Sequence, residues 1–152
     1  MGGLDIDRFA TAANTLLPRF NSYFAEQGSC GTDAFAQNDW AQLRNFCNPP
    51  FSQLPRLLQY LSNTAPTAIC VVIAPKWVQQ HWFQGFFHLA DTTLLLPHRP
   101  DLVRIIQGDQ TTPPYLKNRS WRLCAFIINT PLVSPPPFPK LRDTYHPPSR
   151  AY

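Results

Sequence analysis

Apolar residues along this chain follow two spacings, one typical of helices and one typical of buried strands. Leucines three and four positions apart predict a helix over residues 52–61, capped by Ser52. Aromatic residues at the same spacing predict a second helix over residues 78–89. Between them, residues 67–74 are continuously apolar and rich in β-branched side chains, which predicts a strand buried on both faces.

Shorter apolar segments complete the predicted order of elements. Further strands are expected over residues 45–47, 92–96, 103–106 and 121–129, and residues 4–9 are either a strand or a strand end that meets a loop. Residues 10–17 favour a helical turn or a short helix, and residues 21–31 are polar enough to form a loop. Alternating strands and helices predict an α/β fold with a mostly parallel sheet, and such sheets bind ligands beside the carboxyl ends of their strands.

Proline divides the 152 residues into two unequal parts, since seven of the 17 prolines lie in the last 22 residues. Proline lacks a backbone N–H and fixes φ, so this composition disfavours a helix or a central strand there. We expect one domain over residues 1–130, followed by an extended or disordered Pro-rich tail over residues 131–152.

The charged residues give the second half of the domain a basic excess. The chain carries 13 basic and 9 acidic residues, a net charge of +4. A basic surface fits a polyanionic partner, although an ordinary solvated surface explains the same numbers. The candidates for phosphate contacts are Lys76, Lys117, Arg119 and Arg122.

The four cysteines form no CxxC pair and lie beside no histidine at zinc-ligand spacing, so we expect no metal site. This cysteine usage fits a reduced, intracellular protein. The longest apolar run, residues 68–75, is too short to cross a bilayer, and the N-terminus lacks the features of a signal peptide. The sequence therefore predicts neither a membrane nor a metal as a partner.

The loop between the predicted strand 45–47 and the next helix carries the strongest candidate chemistry. It consists of Asn48, Pro49, Pro50 and Phe51, hereafter the 48–51 loop. The Asn48 side-chain oxygen and the Pro49 carbonyl can accept both protons of an adenine amine, which directs the nitrogen lone pair towards methyl transfer. Pro50 stiffens the loop, and Phe51 offers a face on which an extruded base can stack. Asn-Pro also begins many ordinary turns, so the four residues alone leave a tight turn as an alternative.

Several landmarks accompany this loop in a fixed order over residues 4–130. They are an acidic opening at Asp7, a Pro-Arg-aromatic step at 18–20, the pairs Asp33-Ala34 and Asp39-Trp40, the 48–51 loop, a strand that ends at Ala74-Pro75, and Trp82-Phe83. In this order and spacing the chain resembles the phage Dam-type family of DNA N6-adenine methyltransferases. It is most similar to the methyltransferase-like domain in polyproteins of DIRS-type tyrosine-recombinase retroelements.

The resemblance implies a compact, truncated Rossmann-like methyltransferase fold that uses S-adenosylmethionine. It assigns catalysis to the 48–51 loop and the cofactor to Asp7, Phe9, Ala10 and Asp33. The implied reaction is methyl transfer to the N6 amine of adenine in DNA, with the base flipped into a pocket at the loop. The implied partners are DNA and other domains of a retroelement polyprotein, namely reverse transcriptase and ribonuclease H. A retroelement origin implies a nuclear location, and a phage or bacterial origin implies a cytoplasmic one.

The opening segment departs from the family's pattern. No Gly-rich loop follows it, and Arg8 and Phe9 stand where the family has small residues, which predicts a narrower cofactor pocket. A second reading is therefore a catalytically inactive domain that binds nucleic acid or a partner protein. A third reading is methyl transfer to RNA or to a glutamine amide, since similar loops serve those substrates.

Overall fold

A five-stranded sheet forms the centre of the fold. The computed structural model describes residues 3–97 and 122–130. In chain order the strands are β1 (Ile6–Asp7), β2 (Arg44–Cys47), β3 (Ile69–Pro75), β4 (Thr92–Leu95) and β5 (Leu123–Ile128). The predicted strand 103–106 and the predicted tail 131–152 lie outside the described residues.

The strands are arranged in the order β1-β2-β3-β5-β4, and the sheet is mixed. β1, β2 and β3 are parallel neighbours, whereas β5 runs antiparallel to both β3 and β4. The predicted α/β class is confirmed. The sheet was expected to be mostly parallel, and this is correct for β1, β2 and β3. The pairings of β5 with β3 and with β4 are antiparallel, because β5 runs in the opposite direction and lies between them.

Two helices, α1 (Leu54–Asn63) and α2 (His81–Leu89), pack on one face of the sheet. Both match predicted helices, and both begin later than the sequence pattern indicates. Before α1, the N–H of Gln53 donates to the carbonyl of Pro50 at 2.8 Å and closes a 3₁₀ turn. Ser52 lies inside this turn, so its predicted role as the helix cap is wrong.

The second helix and the first strand are also shorter than predicted. A turn closed by the N–H of Gln80 and the carbonyl of Trp77, 2.9 Å apart, replaces the first predicted turn of α2. β1 keeps two of the residues predicted over 4–9, and residues 10–17 contain a single helical turn. Local apolar spacing thus located these elements but did not set their ends.

The sheet separates two apolar clusters. On the helical face, leucines of α1 and aromatic residues of α2 pack against β3 and β5. On the opposite face, Val71 and Ile73 of β3 pack with Leu94 of β4 and Ile127 of β5. Six consecutive residues of β3 are buried, which confirms the prediction of a strand covered on both faces.

Candidate functional site

The carboxyl ends of the three parallel strands meet at one edge of the sheet, hereafter the carboxyl edge. β1 ends at Asp7, β2 at Cys47 and β3 at Pro75. β5 begins at the same edge, because Leu123 is paired with Pro75. The segments that follow the parallel strands, together with Arg122 before β5, are therefore neighbours.

The 48–51 loop leaves β2 at this edge with buried and exposed residues in alternation. Pro49 is buried, whereas Asn48, Pro50 and Phe51 are exposed, Phe51 to 38%. Pro50 has a φ of −51°, and its carbonyl closes the 3₁₀ turn that leads into α1. Within the described part of the chain, neither the Asn48 side chain nor the Pro49 carbonyl makes an internal hydrogen bond. Two adjacent acceptors beside an exposed aromatic ring thus have no hydrogen-bond partner among the described residues.

A row of aromatic side chains leads from Phe51 into the core. The Phe51 and Trp77 ring centroids are 5.2 Å apart with 77° between their planes, an edge-to-face contact. Trp77 lies 6.3 Å from Trp82, and Trp82 lies 6.2 Å from the fully buried Phe83. Aromatic pairs of this kind are favourable in specific orientations. The row therefore fixes the direction of a ring that would otherwise be mobile at the surface.

Asp7 ends β1 as a buried carboxylate that is 3% exposed. Its Oδ2 accepts the N–H of Leu16 at 3.1 Å, and its Oδ1 has no hydrogen-bond partner among the described residues. Burial raises the pKa of the Asp7 carboxyl above its ordinary value of 3.8, and the N–H groups of Leu16 and Phe9 oppose this effect in part. A buried oxygen without a hydrogen-bond partner is unfavourable in its charged form, which agrees with the raised pKa of this carboxyl.

The other residues expected to bind the cofactor lie in one region, but each of them already contacts or hydrogen-bonds another residue of the protein. Phe9 packs edge-to-face on Phe35, with ring centroids 5.5 Å apart. The Asp33 Oδ1 accepts the N–H of Phe35 at 3.0 Å. Ala10 is buried, and its N–H donates to the carbonyl of Asn21 at 3.1 Å. Of the four expected residues, only Asp7 retains a buried polar atom without a partner.

Arg8 forms a buried polar network that the sequence analysis did not predict. Its Nε donates to the Asn45 Oδ1 and its Nη1 to the Asn21 Oδ1, each at 2.7 Å. Its Nη2 lies 2.8 Å from the Asp39 Oδ1, and the guanidinium carbon lies 4.5 Å from the Trp40 ring centroid. Burial of a charge requires partners of this kind. Arg8 therefore ties four separate segments of the chain together.

The direction of the Arg8 side chain concerns the expectation that Arg8 narrows the cofactor pocket. Asn45 lies in register with Ile6, and the guanidinium reaches back from Arg8 to Asn45. The side chain therefore lies along the sheet inside the protein and not beyond the end of β1. Its two asparagine partners are 13 and 37 residues away in the chain. The available sequence signal was Asn45 itself, a polar residue at the start of the predicted strand 45–47.

Basic residues flank the carboxyl edge at the start of β5. The N–H of Lys76 donates to the carbonyl of Arg122 at 2.8 Å, so two of the four residues expected to contact phosphates are adjacent. Lys117 and Arg119 lie outside the described residues. At Lys76 the surface has an open depression of about 500 Å³. It is lined by Lys76, Trp77, Val78, Gln79 and Gln80.

No helix over residues 3–97 or 122–130 is long and apolar enough to cross a membrane. The same residues contain no group of three or more His, Cys, Asp or Glu side chains that can hold a metal ion. Comparison with protein-family models, with curated proteins and with solved structures finds no match to this chain.

Proposed function

We propose that this chain is an enzyme with a truncated Rossmann-like methyltransferase fold, and that it transfers a methyl group from S-adenosylmethionine to the N6 amine of adenine in DNA. The observation that carries the proposal is a pair of acceptors beside the exposed Phe51 ring, the Asn48 side chain and the Pro49 carbonyl, which have no partner among the described residues. These groups follow a parallel strand at its carboxyl end, where open α/β sheets bind their ligands.

The 48–51 loop acts on the adenine amine by accepting both of its protons. This amine is planar and weakly nucleophilic, because its lone pair is delocalised into the ring. Hydrogen bonds to the Asn48 Oδ1 and the Pro49 carbonyl favour a pyramidal nitrogen, and they strengthen as the nitrogen gains positive charge during transfer. Pro50 and the 3₁₀ turn after it hold both acceptors in position before the substrate binds.

Phe51 contributes to the free energy of extruding the base. Unstacking and unpairing an adenine costs a few kcal/mol. Stacking on one aromatic side chain returns about 1–3 kcal/mol, and Phe51 is both exposed and oriented by Trp77. One ring thus offsets part of the cost, so we expect single-stranded or mismatched DNA to be a better substrate than a perfect duplex.

The cofactor side of the site depends chiefly on Asp7. S-adenosylmethionine supplies an electrophilic methyl group when it is bound. Asp7 ends β1 in register with Phe46, two residues before Asn48, and this position beside the 48–51 loop supports a role in holding the cofactor. Phe9 and Asp33 border the same region through their contacts with Phe35.

Transfer of a tritiated methyl group to adenine-containing DNA tests the proposed reaction. Asn48→Ala is expected to lower the rate by about 100-fold or more, the usual cost of removing one preorganised group that stabilises charge in the transition state. Asn63→Ala is the matched control, because Asn63 is exposed at the far end of α1. Complete absence of transfer by the folded protein, or transfer that does not depend on Asn48, would overturn the proposal.

A catalytically inactive domain that binds DNA is the second candidate. The engagement of Phe9, Ala10 and Asp33 within the protein favours it, since Asp7 is then the main group left for the cofactor. Isothermal titration separates the two candidates. The enzyme binds S-adenosylmethionine more tightly than its Asp7→Asn variant does, whereas the inactive domain binds DNA with a steep salt dependence and does not bind the cofactor. Methylation of RNA or of a glutamine peptide in place of DNA would favour the third reading.

A further inference from the structure

The segment between β3 and α2 forms a depression beside Phe51 that the proposed methyl transfer does not use. It has a volume of about 500 Å³ and is lined by residues 76–80. It lies at the carboxyl edge, because β3 ends at Pro75 immediately before Lys76. Trp77 both lines the depression and contacts the Phe51 ring at 5.2 Å. The depression and the proposed base-stacking ring therefore adjoin each other.

The lining carries the groups that a nucleotide needs. Trp77 is partly exposed and offers an aromatic surface, and Lys76 offers a cation. The exposed Gln79 and Gln80 offer side-chain amides, and the Gln80 side chain makes no capping hydrogen bond to α2. Arg122 lies next to Lys76 through the 2.8 Å backbone bond. Aromatic surfaces interleaved with cations are typical of proteins that bind single-stranded nucleic acid.

The geometry points to a second nucleotide site, and we propose that this depression holds the nucleotide next to the target adenine on the same DNA strand. Trp77 packs against the base of that nucleotide, and Lys76 and Arg122 lie beside its phosphate. The identity of this nucleotide rests on the proposed function, because the target base at Phe51 defines its neighbour. Rings 5.2 Å apart are close enough for consecutive nucleotides to contact both. Stacking is tolerant of base identity, so we expect little sequence preference at this position.

Binding of a labelled single-stranded oligodeoxynucleotide, followed by fluorescence anisotropy without cofactor, tests the stacking contact. Trp77→Ala is expected to raise the Kd by about 5-fold to about 150-fold, which corresponds to the loss of one base–aromatic stack. Trp77→Phe keeps an aromatic ring and is expected to raise the Kd less. Far-UV circular dichroism establishes that each variant is folded. A folded Trp77→Ala variant with the wild-type Kd would overturn the inference.

Salt dependence tests the phosphate contact through a different residue, so the inference remains testable even where Trp77→Ala does not fold. Lys76→Gln is expected to lower the slope of log K against log salt concentration by about 0.7, the value for one phosphate contact on a single strand. Arg44→Gln is the matched control, because Arg44 lies at the opposite end of β2 and pairs with Asp5. An unchanged slope in Lys76→Gln would contradict the proposed site.

The nucleotide site and the proposed reaction fail in distinguishable ways, because DNA binding is measured without methyl transfer. DNA binding that depends on Trp77, together with no methyl transfer, supports the nucleotide site and overturns the reaction alone. A wild-type protein that binds no oligodeoxynucleotide at low salt overturns the nucleotide site, whatever the transfer assay shows. Preferential binding of RNA of the same sequence also overturns it, because the proposed ligand is DNA.

Discussion

Replacement of Arg8 by methionine is expected to lower the free energy of unfolding by about 3–5 kcal/mol, chiefly because two buried side-chain oxygens lose their hydrogen-bond donor. Methionine fills part of the space but donates no hydrogen bond, so Asn45 and Asn21 each lose a donor at 2.7 Å. Each unpaired buried acceptor costs about 1–3 kcal/mol. The cation–π contact with Trp40 is lost as well. Asp39 adds less, because its side chain is 41% exposed and regains water.

Urea unfolding followed by far-UV circular dichroism measures this loss. With a slope of about 2 kcal/mol per M, a loss of about 4 kcal/mol lowers the midpoint by about 2 M. A change of this size is a large part of the roughly 5–15 kcal/mol by which small domains are stable. Arg44→Met is the matched control. Arg44 pairs with Asp5 at 3.0 Å, but the two side chains are 38% and 30% exposed, so this variant is expected to lose less than about 1 kcal/mol.

Equal midpoints for Arg8→Met and Arg44→Met would refute the reasoning, because burial is the property that distinguishes the two arginines. Asp39→Asn adds a further comparison, since it removes the charge partner of Arg8 and keeps the side-chain volume. We expect this variant to be destabilised less than Arg8→Met. If it loses as much stability, the ion pair and not the two asparagine hydrogen bonds holds Arg8 in place.

Two further predictions concern the pH dependence of stability and the contact between the helices. Burial raises the folded-state pKa of Asp7 above 3.8, so the contribution of Asp7 to stability falls as pH rises from its unfolded-state pKa to its folded-state pKa. Over that pH interval, the urea midpoint of Asp7→Asn is expected to rise relative to that of the wild type. A difference in midpoint that does not change with pH would contradict this prediction. A Cβ at Gly85 would overlap the Leu58 Cδ2 and lie 3.2 Å from its Cγ, so Gly85→Ala is expected to lose about 1 kcal/mol after the gain in helix propensity. In a Leu58→Ala background the same substitution should stabilise the protein in urea unfolding, and an unchanged sign would count against the proposed overlap.

Local periodicity predicted α1, α2 and β3, because burial of a helix face or of both strand faces depends on side chains a few positions apart. It placed the helix starts too early. The hydrogen bonds from Gln53 to Pro50 and from Gln80 to Trp77 close turns that mix apolar and polar residues, as the first turn of an amphipathic helix also does. Hydrophobic pattern identifies which side chains are buried, and it does not distinguish a tight turn from the first turn of a helix.

The pattern of apolar residues did not predict the order of the strands in the sheet. Alternating strands and helices predicted a mostly parallel sheet, and β1, β2 and β3 are parallel neighbours, since each crossover returns the chain to the same end of the sheet. Nothing in the apolar spacing of residues 123–128 indicated that β5 lies between β3 and β4 and runs antiparallel to both. Pairing between strands is made by backbone groups, which are the same in every sequence.

The sequence by itself determined the α/β class and the position of the 48–51 loop between a strand and a helix, because both follow from neighbouring residues. Only the tertiary structure decided that Trp77 supports Phe51 and that Arg8 is an interior residue. The first contact exists because β2 and β3 are adjacent and parallel, so the residues after each strand meet at one edge. The second exists because distant segments supply the hydrogen-bond acceptors that a buried guanidinium requires, and no local pattern records which segments will meet.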